Sequence, residues 1–185
     1  LGAPFMGLAT PFTAVQILWV NIIMDGPPAM TLGVEPARPG IMDQPPRAGD
    51  AAILSPQRMW RIALYGLTMA VGTLGGYAWA MAAGDTARAM TLAFTTFVLF
   101  QFFNIFNART EHGSAFNRQF FSNGKLWVAL LGVVLLQIVV VHWAPAQTVF
   151  DTVDLSADDW LIATAVASST LLLEEARKLL FRLVR

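Results

Sequence analysis

At 185 residues the chain is 56% hydrophobic and 13% charged, with six Trp and a formal net charge of zero, and its mean hydropathy is +0.56. Soluble domains carry roughly 25% charged residues, so this composition points to a membrane protein, and a neutral balance with no basic arm excludes a nucleic-acid partner held by bulk charge. The absence of cysteine removes disulfides, thiolate metal sites and cysteine nucleophiles.

Leu1 to Thr10 hold neither an initiator Met nor a positively charged leader. They do not read as a signal peptide, and the chain reads as a fragment or a processed product. Five apolar runs approach the roughly 20 residues needed to cross a ~30 Å hydrocarbon core. They cover about 12–32, 57–82, 90–107, 125–143 and 159–173, the last borrowing a turn from an amphipathic tail. The expected fold is an all-α membrane bundle of about five helices.

The first run contains Asn21, Asp25 and Gly26-Pro27-Pro28. A carboxylate at membrane depth marks a functional site by default. Asn21 and Asp25 are four apart, so on a helix they lie within roughly 40° of each other on one face. Pro27 and Pro28 lack N–H groups, so helix leading into them leaves the Ile23 and Met24 carbonyls without their usual donors. Gly26, before a proline, is biased to extended backbone and should end the regular helix. An amide oxygen, a carboxylate and freed carbonyls at one broken turn suit a hard cation such as Ca²⁺. The alternative is a proline-kinked helix whose Asp hydrogen-bonds a neighbour.

Residues 33–56 carry five prolines and most of the local charge, which predicts a water-facing loop. The second run holds Gly66, Ala70, Gly72, Gly75 and Gly76, expected to permit close helix packing, as is Gly132 in the fourth. A Gly-Asp turn at 83–89 leads to the third run, where Gln101 and Asn104 can share an interior face. The loop at 108–124 is polar. In the fourth run His142 reads as a satisfied or solvated residue, and the Trp residues, mostly near run ends, read as interfacial anchors. Asp158 or Asp159 is expected to cap the last helix. Glu174 and Glu175, ahead of Arg177 and Lys178, read as a charged helix end at the interface, followed by a tail suited to lipid headgroups. Eleven Lys and Arg flank the first and third loops and the tail, against Arg88 alone on the other side. That asymmetry predicts a cytoplasmic C-terminus, cytosolic loops at 33–56 and 108–124, and an extracytoplasmic N-terminal end.

Leu18-Trp19-Val20-Asn21-Ile22-Ile23-Met24-Asp25-Gly26-Pro27-Pro28-Ala29, then Leu32-Gly33-Val34-Glu35-Pro36 and Ile41-Met42-Asp43-Gln44-Pro45-Pro46-Arg47, closely resemble the sixth transmembrane helix and following loop of P-type calcium ATPases, nearest the secretory-pathway Ca²⁺/Mn²⁺ branch. The block from Thr95 to Arg109 resembles the eighth helix, nearer the plasma-membrane pumps. The resemblance covers essentially residues 1–185 as the C-terminal transmembrane domain, sixth to tenth helices. It implies Asn21 and Asp25 as side-chain ligands of transported Ca²⁺, with Gln101, Ile23 and Met24 in support. It also implies a coupling loop including Glu35, Asp43 and Arg47 that meets the phosphorylation domain. Met24 stands where two-ion pumps place a hydroxyl ligand, which implies one ion per cycle. Met30 stands where the secretory-pathway branch has a Gln associated with Mn²⁺, so Ca²⁺ is the expected ion and Mn²⁺ the lesser one.

The partners implied are the remaining helices and cytosolic domains of the same pump, which use ATP and Mg²⁺, and the lipid bilayer. No phosphorylation motif or nucleotide-binding domain is found, so the fragment alone is expected to be inactive. The alternatives are a non-catalytic helix module that binds a partner or scaffolds, and a secondary cation transporter; no second copy of the Asn21-to-Pro28 pattern supports the latter.

Overall fold

Thr13 opens the first helix through a reciprocal cap. Its hydroxyl accepts the Gln16 N–H at 3.3 Å, and the Gln16 side chain accepts the Thr13 N–H at 3.1 Å. The computed structural model describes residues 10–36, 41–43, 55–109, 114–116 and 120–183. Helix α1 spans Ala14–Trp19 and passes into a π-helical turn, Val20–Met24, in which the Asp25 N–H bonds the Val20 carbonyl at 2.9 Å. A second short helix, α2, spans Gly26–Leu32 with prolines in its first turn, where missing N–H groups cost nothing. The break therefore falls at Asp25, immediately before Gly26-Pro27-Pro28. The prolines start the second piece rather than end the first, so Gly26 is helical and not extended.

Helix α3, Pro56–Ala82, is capped by the Ser55 hydroxyl. It ends at Gly84, whose φ of +85° is the left-handed conformation a side chain resists. After Asp85, which caps the Arg88 N–H at 2.9 Å, follow α4, Thr86–Arg109, α5, Gly124–His142, the short α6, Ala144–Phe150, and α7, Ala157–Leu183. The α1–α2 unit and helices α3, α4, α5 and α7 overlie the five apolar runs. Helix α6 lies in the connection between the fourth and fifth runs, and α7 continues without interruption ten residues past Leu173. Among the described residues there is no strand.

Helix α4 is the centre. One side packs with α3 and α7 through Met69, Tyr77, Leu92, Phe100 and Ala163. The other meets the α1–α2 unit and α5 through Val20, Met24, Phe94, Val98 and Val133. Two of the α4 threonines return their hydroxyls to the helix: Thr91 Oγ1 donates to the Ala87 carbonyl and Thr96 Oγ1 to the Leu92 carbonyl. Helices α4 and α5 are each long and apolar enough to cross a membrane. Outward residues such as Leu67, Val71, Val128 and Leu161 are exposed.

Of the expected packing glycines, only Gly72 marks a close approach: a Cβ there would lie 2.5 Å from Phe100 Cζ. Gly66, Gly75, Gly76 and Gly132 face open space. The last helix is capped by Ser156, whose Oγ accepts the Asp159 N–H, while Asp159 returns the bond to the Ser156 N–H. Asp159, expected as the cap, also takes the Arg88 guanidinium, with Nε at 3.1 Å. His142 is satisfied between Asp154 at 2.9 Å and the Trp160 indole at 3.2 Å.

Candidate cation site

The π turn divides its own side chains between two environments. Met24 is fully buried in the cluster with Phe94 and Val98, whereas Asn21 and Asp25 are exposed. The thioether thus points into the bundle, and the two oxygen-bearing groups point to a side that no described helix covers. Asn21 Nδ2 donates to the Ile17 carbonyl at 2.8 Å. A carbonyl only accepts, so the amide oxygen is the atom turned outward. The Asp25 carboxylate has no hydrogen bond or ion pair among the described residues.

Two main-chain oxygens of the same turn lack their usual donors. The Ile23 carbonyl would take the N–H of residue 27 in an α pattern and of residue 28 in a π pattern, and both are prolines. The Met24 carbonyl loses its α donor to Pro28, and the Ala29 N–H is engaged by the Asp25 carbonyl at 3.1 Å. The turn therefore offers hard oxygens only, which fits a divalent cation of the Ca²⁺ type. Among the described residues no group of three or more His, Cys, Asp or Glu is placed to hold a metal.

Gln101 and Asn104 are both half-buried on α4, but no hydrogen bond joins Gln101 to Asn21, Asp25 or any other described residue. A different amide connects the helices. Trp19 Nε1 donates to Gln137 Oε1 at 3.1 Å, and Gln137 Nε2 donates to Thr95 Oγ1 at 3.3 Å. Trp19 is thereby tied to α5 inside the bundle. Gln16 adds a bond from Nε2 to the Phe150 carbonyl at 2.8 Å.

Of the expected coupling residues, Asp43 is exposed in a short 3₁₀ turn, Ile41–Asp43, and Arg47 lies outside the described residues, as do Arg38, Arg118 and Arg185. Glu35 is bound within the chain. Its Oε1 accepts Arg109 Nη2 at 2.6 Å and its Oε2 accepts Asn123 Nδ2 at 2.6 Å.

The pair read as a charged helix end at the interface has a further partner. Glu174 has no side-chain exposure and meets Arg61 of α3 at 3.4 Å and Arg177 at 2.7 Å. Lys178 lies 3.8 Å away and is itself nearly buried. Burial alone would push the Glu174 carboxyl up, but Arg177, the nearby Tyr65 hydroxyl and Arg61 outweigh it and hold it below the usual carboxylate range. Local spacing shows the Glu174–Lys178 pair but not the partner from α3.

Residues 9–180 match the family described as cation transporting ATPase, C-terminus. The chain is 41% identical over 174 residues to mouse calcium-transporting ATPase type 2C member 2, covering 93% of this chain and 18% of that protein. It is 40% identical over 173 residues to calcium-transporting ATPase 1 of Schizosaccharomyces pombe, covering 93% and 19%. To human calcium-transporting ATPase type 2C member 1 it is 36% identical over 178 residues, covering 95% and 19%. The chain thus spans less than a fifth of the length of these curated relatives. With its apolar helices and a match over nearly its whole length, this chain is an all-α integral membrane segment that belongs to the cation transporting ATPase C-terminal family.

Proposed function

We propose that this segment is the membrane part of an ATP-driven Ca²⁺ pump, and that Asn21 Oδ1, the Asp25 carboxylate and the Ile23 and Met24 carbonyls are its share of the ion's ligands. One observation carries the reading. An unpartnered carboxylate and an outward amide oxygen lie one turn apart on the uncovered side of a turn whose other side is packed, and two carbonyls of that same turn lack their usual donors because prolines follow. A bare carboxylate in lipid is costly, so this arrangement is best explained by a cation and by further helices over that face. The calcium-transporting relatives support the choice of ion.

Two side-chain ligands fall short of the six to eight oxygens Ca²⁺ takes, so the remaining ligands come from elsewhere in the pump. There too lie the domains that consume ATP with Mg²⁺, and the segment alone neither hydrolyses ATP nor pumps. Met24, turned inward, leaves this turn one ion to serve. Met30, 78% exposed, offers a thioether where the secretory-pathway pattern has an amide, which favours Ca²⁺ over Mn²⁺. Half-buried Gln101 is in reserve for the ion or its water. The Lys and Arg distribution supports a cytoplasmic C-terminus with loops 33–56 and 108–124 on the same side, and the outward apolar faces meet lipid.

The test is Asp25→Asn in the full-length pump that carries this segment. Phosphorylation by ATP should lose its Ca²⁺ dependence and fall to background at unchanged protein level. Normal Ca²⁺ transport by that variant overturns the assignment.

A further inference from the structure

Asn123 is almost fully buried and acts in two directions. Its Oδ1 caps α5 by accepting the Leu126 N–H at 3.0 Å, while its Nδ2 donates to the Thr31 carbonyl at 2.9 Å and to Glu35 Oε2 at 2.6 Å. Arg109, the last residue of α4, gives Nε and Nη2 to Glu35 Oε1 at 3.0 and 2.6 Å, and Nη1 to the Phe120 carbonyl at 2.8 Å. Asn123 therefore holds the last turn of α2 directly, and Asn123 and Arg109 together hold Glu35, three residues beyond it.

Between that grip and Asp25 the backbone is continuous and stiff. The Ala29 N–H bonds the Asp25 carbonyl, the Thr31 hydroxyl bonds the Pro28 carbonyl at 2.7 Å, and the Gly33 and Glu35 N–H groups bond the Ala29 and Leu32 carbonyls. Pro27 and Pro28 fix the backbone of its first turn. Beyond Asp25 lies the π turn, the least regular bonding in this unit. A short rod held at one end and jointed at the other moves as one piece.

We infer that Arg109 and Asn123 are positioning residues for the Asp25 carboxylate, setting its place in the cation site through α2 without touching the ion. The inference rests on Asp25 being a ligand, as proposed above. It gives Glu35 a defined role: through its carboxylate the chain just beyond α2 is tied to Arg109 and Asn123.

The test uses the full-length pump in membranes and reads phosphorylation by ATP against Ca²⁺ concentration. Asn123→Ser keeps a capping oxygen for Leu126 and removes the Nδ2 grip; Arg109→Lys keeps the charge and removes the fork. Each should raise the half-saturating Ca²⁺ severalfold, with the maximal phosphorylation unchanged. Arg109→Gln should shift it further than Arg109→Lys. A lowered maximum with an unmoved half-saturating concentration makes the grip a structural brace and overturns the inference, as does a wild-type curve for either variant. Asp25→Asn in the same assay separates the two claims. If it is inactive while the grip variants are normal, only the positioning role falls; if it responds to Ca²⁺ normally, the site itself is wrong.

Discussion

Arg61 and Glu174 meet at 3.4 Å across 113 positions of sequence, joining α3 to the C-terminal half of α7 through a carboxylate with no exposed surface. Removing one member of a buried pair costs about 3–5 kcal/mol, because the charge left behind is uncompensated. Glu174→Ala should lower the melting temperature of the detergent-solubilised chain sharply, and Glu174→Gln, which keeps the shape and some hydrogen bonds, by less. A melt unchanged by Glu174→Ala would show the cluster to be energetically idle.

The same carboxylate predicts a pH dependence. Its folded pKa is depressed, so the stability it contributes is fully present above the ordinary glutamate value and is lost as pH falls through the lower folded value. Glu174→Gln should flatten that acid limb of stability against pH and leave the neutral range parallel to wild type. Thermal melts across a pH series check this, and an acid limb that survives in Glu174→Gln assigns it to other groups.

At Gly72 the fully buried Phe100 ring has no room to retreat, and Val166 Cγ1 stands 3.0 Å from where an alanine methyl would sit. Gly72→Ala should cost about 1–3 kcal/mol by overpacking, whereas Gly76→Ala, with nothing within 4 Å, should be neutral. Restoring stability to Gly72→Ala with Phe100→Leu would locate the conflict at that contact.

Gln137 links Trp19 to Thr95, so Gln137→Leu leaves an indole N–H without its partner. Such interhelical bonds are worth on the order of 1 kcal/mol in membranes. A double-mutant cycle with Trp19→Phe should therefore show coupling of that size. Additive effects would mean that the two side chains stabilise the bundle independently.

Local pattern carries much of this. Apolar length locates the helices, and the i, i+4 spacing of Asn21 and Asp25 with the two prolines locates the turn. What escapes has one cause: burial set by a partner distant in sequence. Glu174 reads as a charged helix end at the interface, without its partner Arg61, because Arg61 belongs to another helix, and Asn123, a polar residue in a polar loop, gives no sign that Thr31 and Glu35 fold over it. Five small residues on α3 look equivalent in sequence, yet among its glycines only Gly72 faces an aromatic ring. The helix start at Ser156 escapes for a subtler reason, since either end of a capping box can be taken for the cap.

The widened turn at Val20–Met24 also fixes a phase. Each residue of an α-helix advances about 100°, so rewinding this turn to regular α geometry would swing everything beyond it by roughly that angle relative to α1. Met24 would leave its pocket and the acid would sweep toward a different neighbour. Which of these two adjacent side chains meets protein, and which is left for an ion, is decided by one surplus residue in a single coil of backbone.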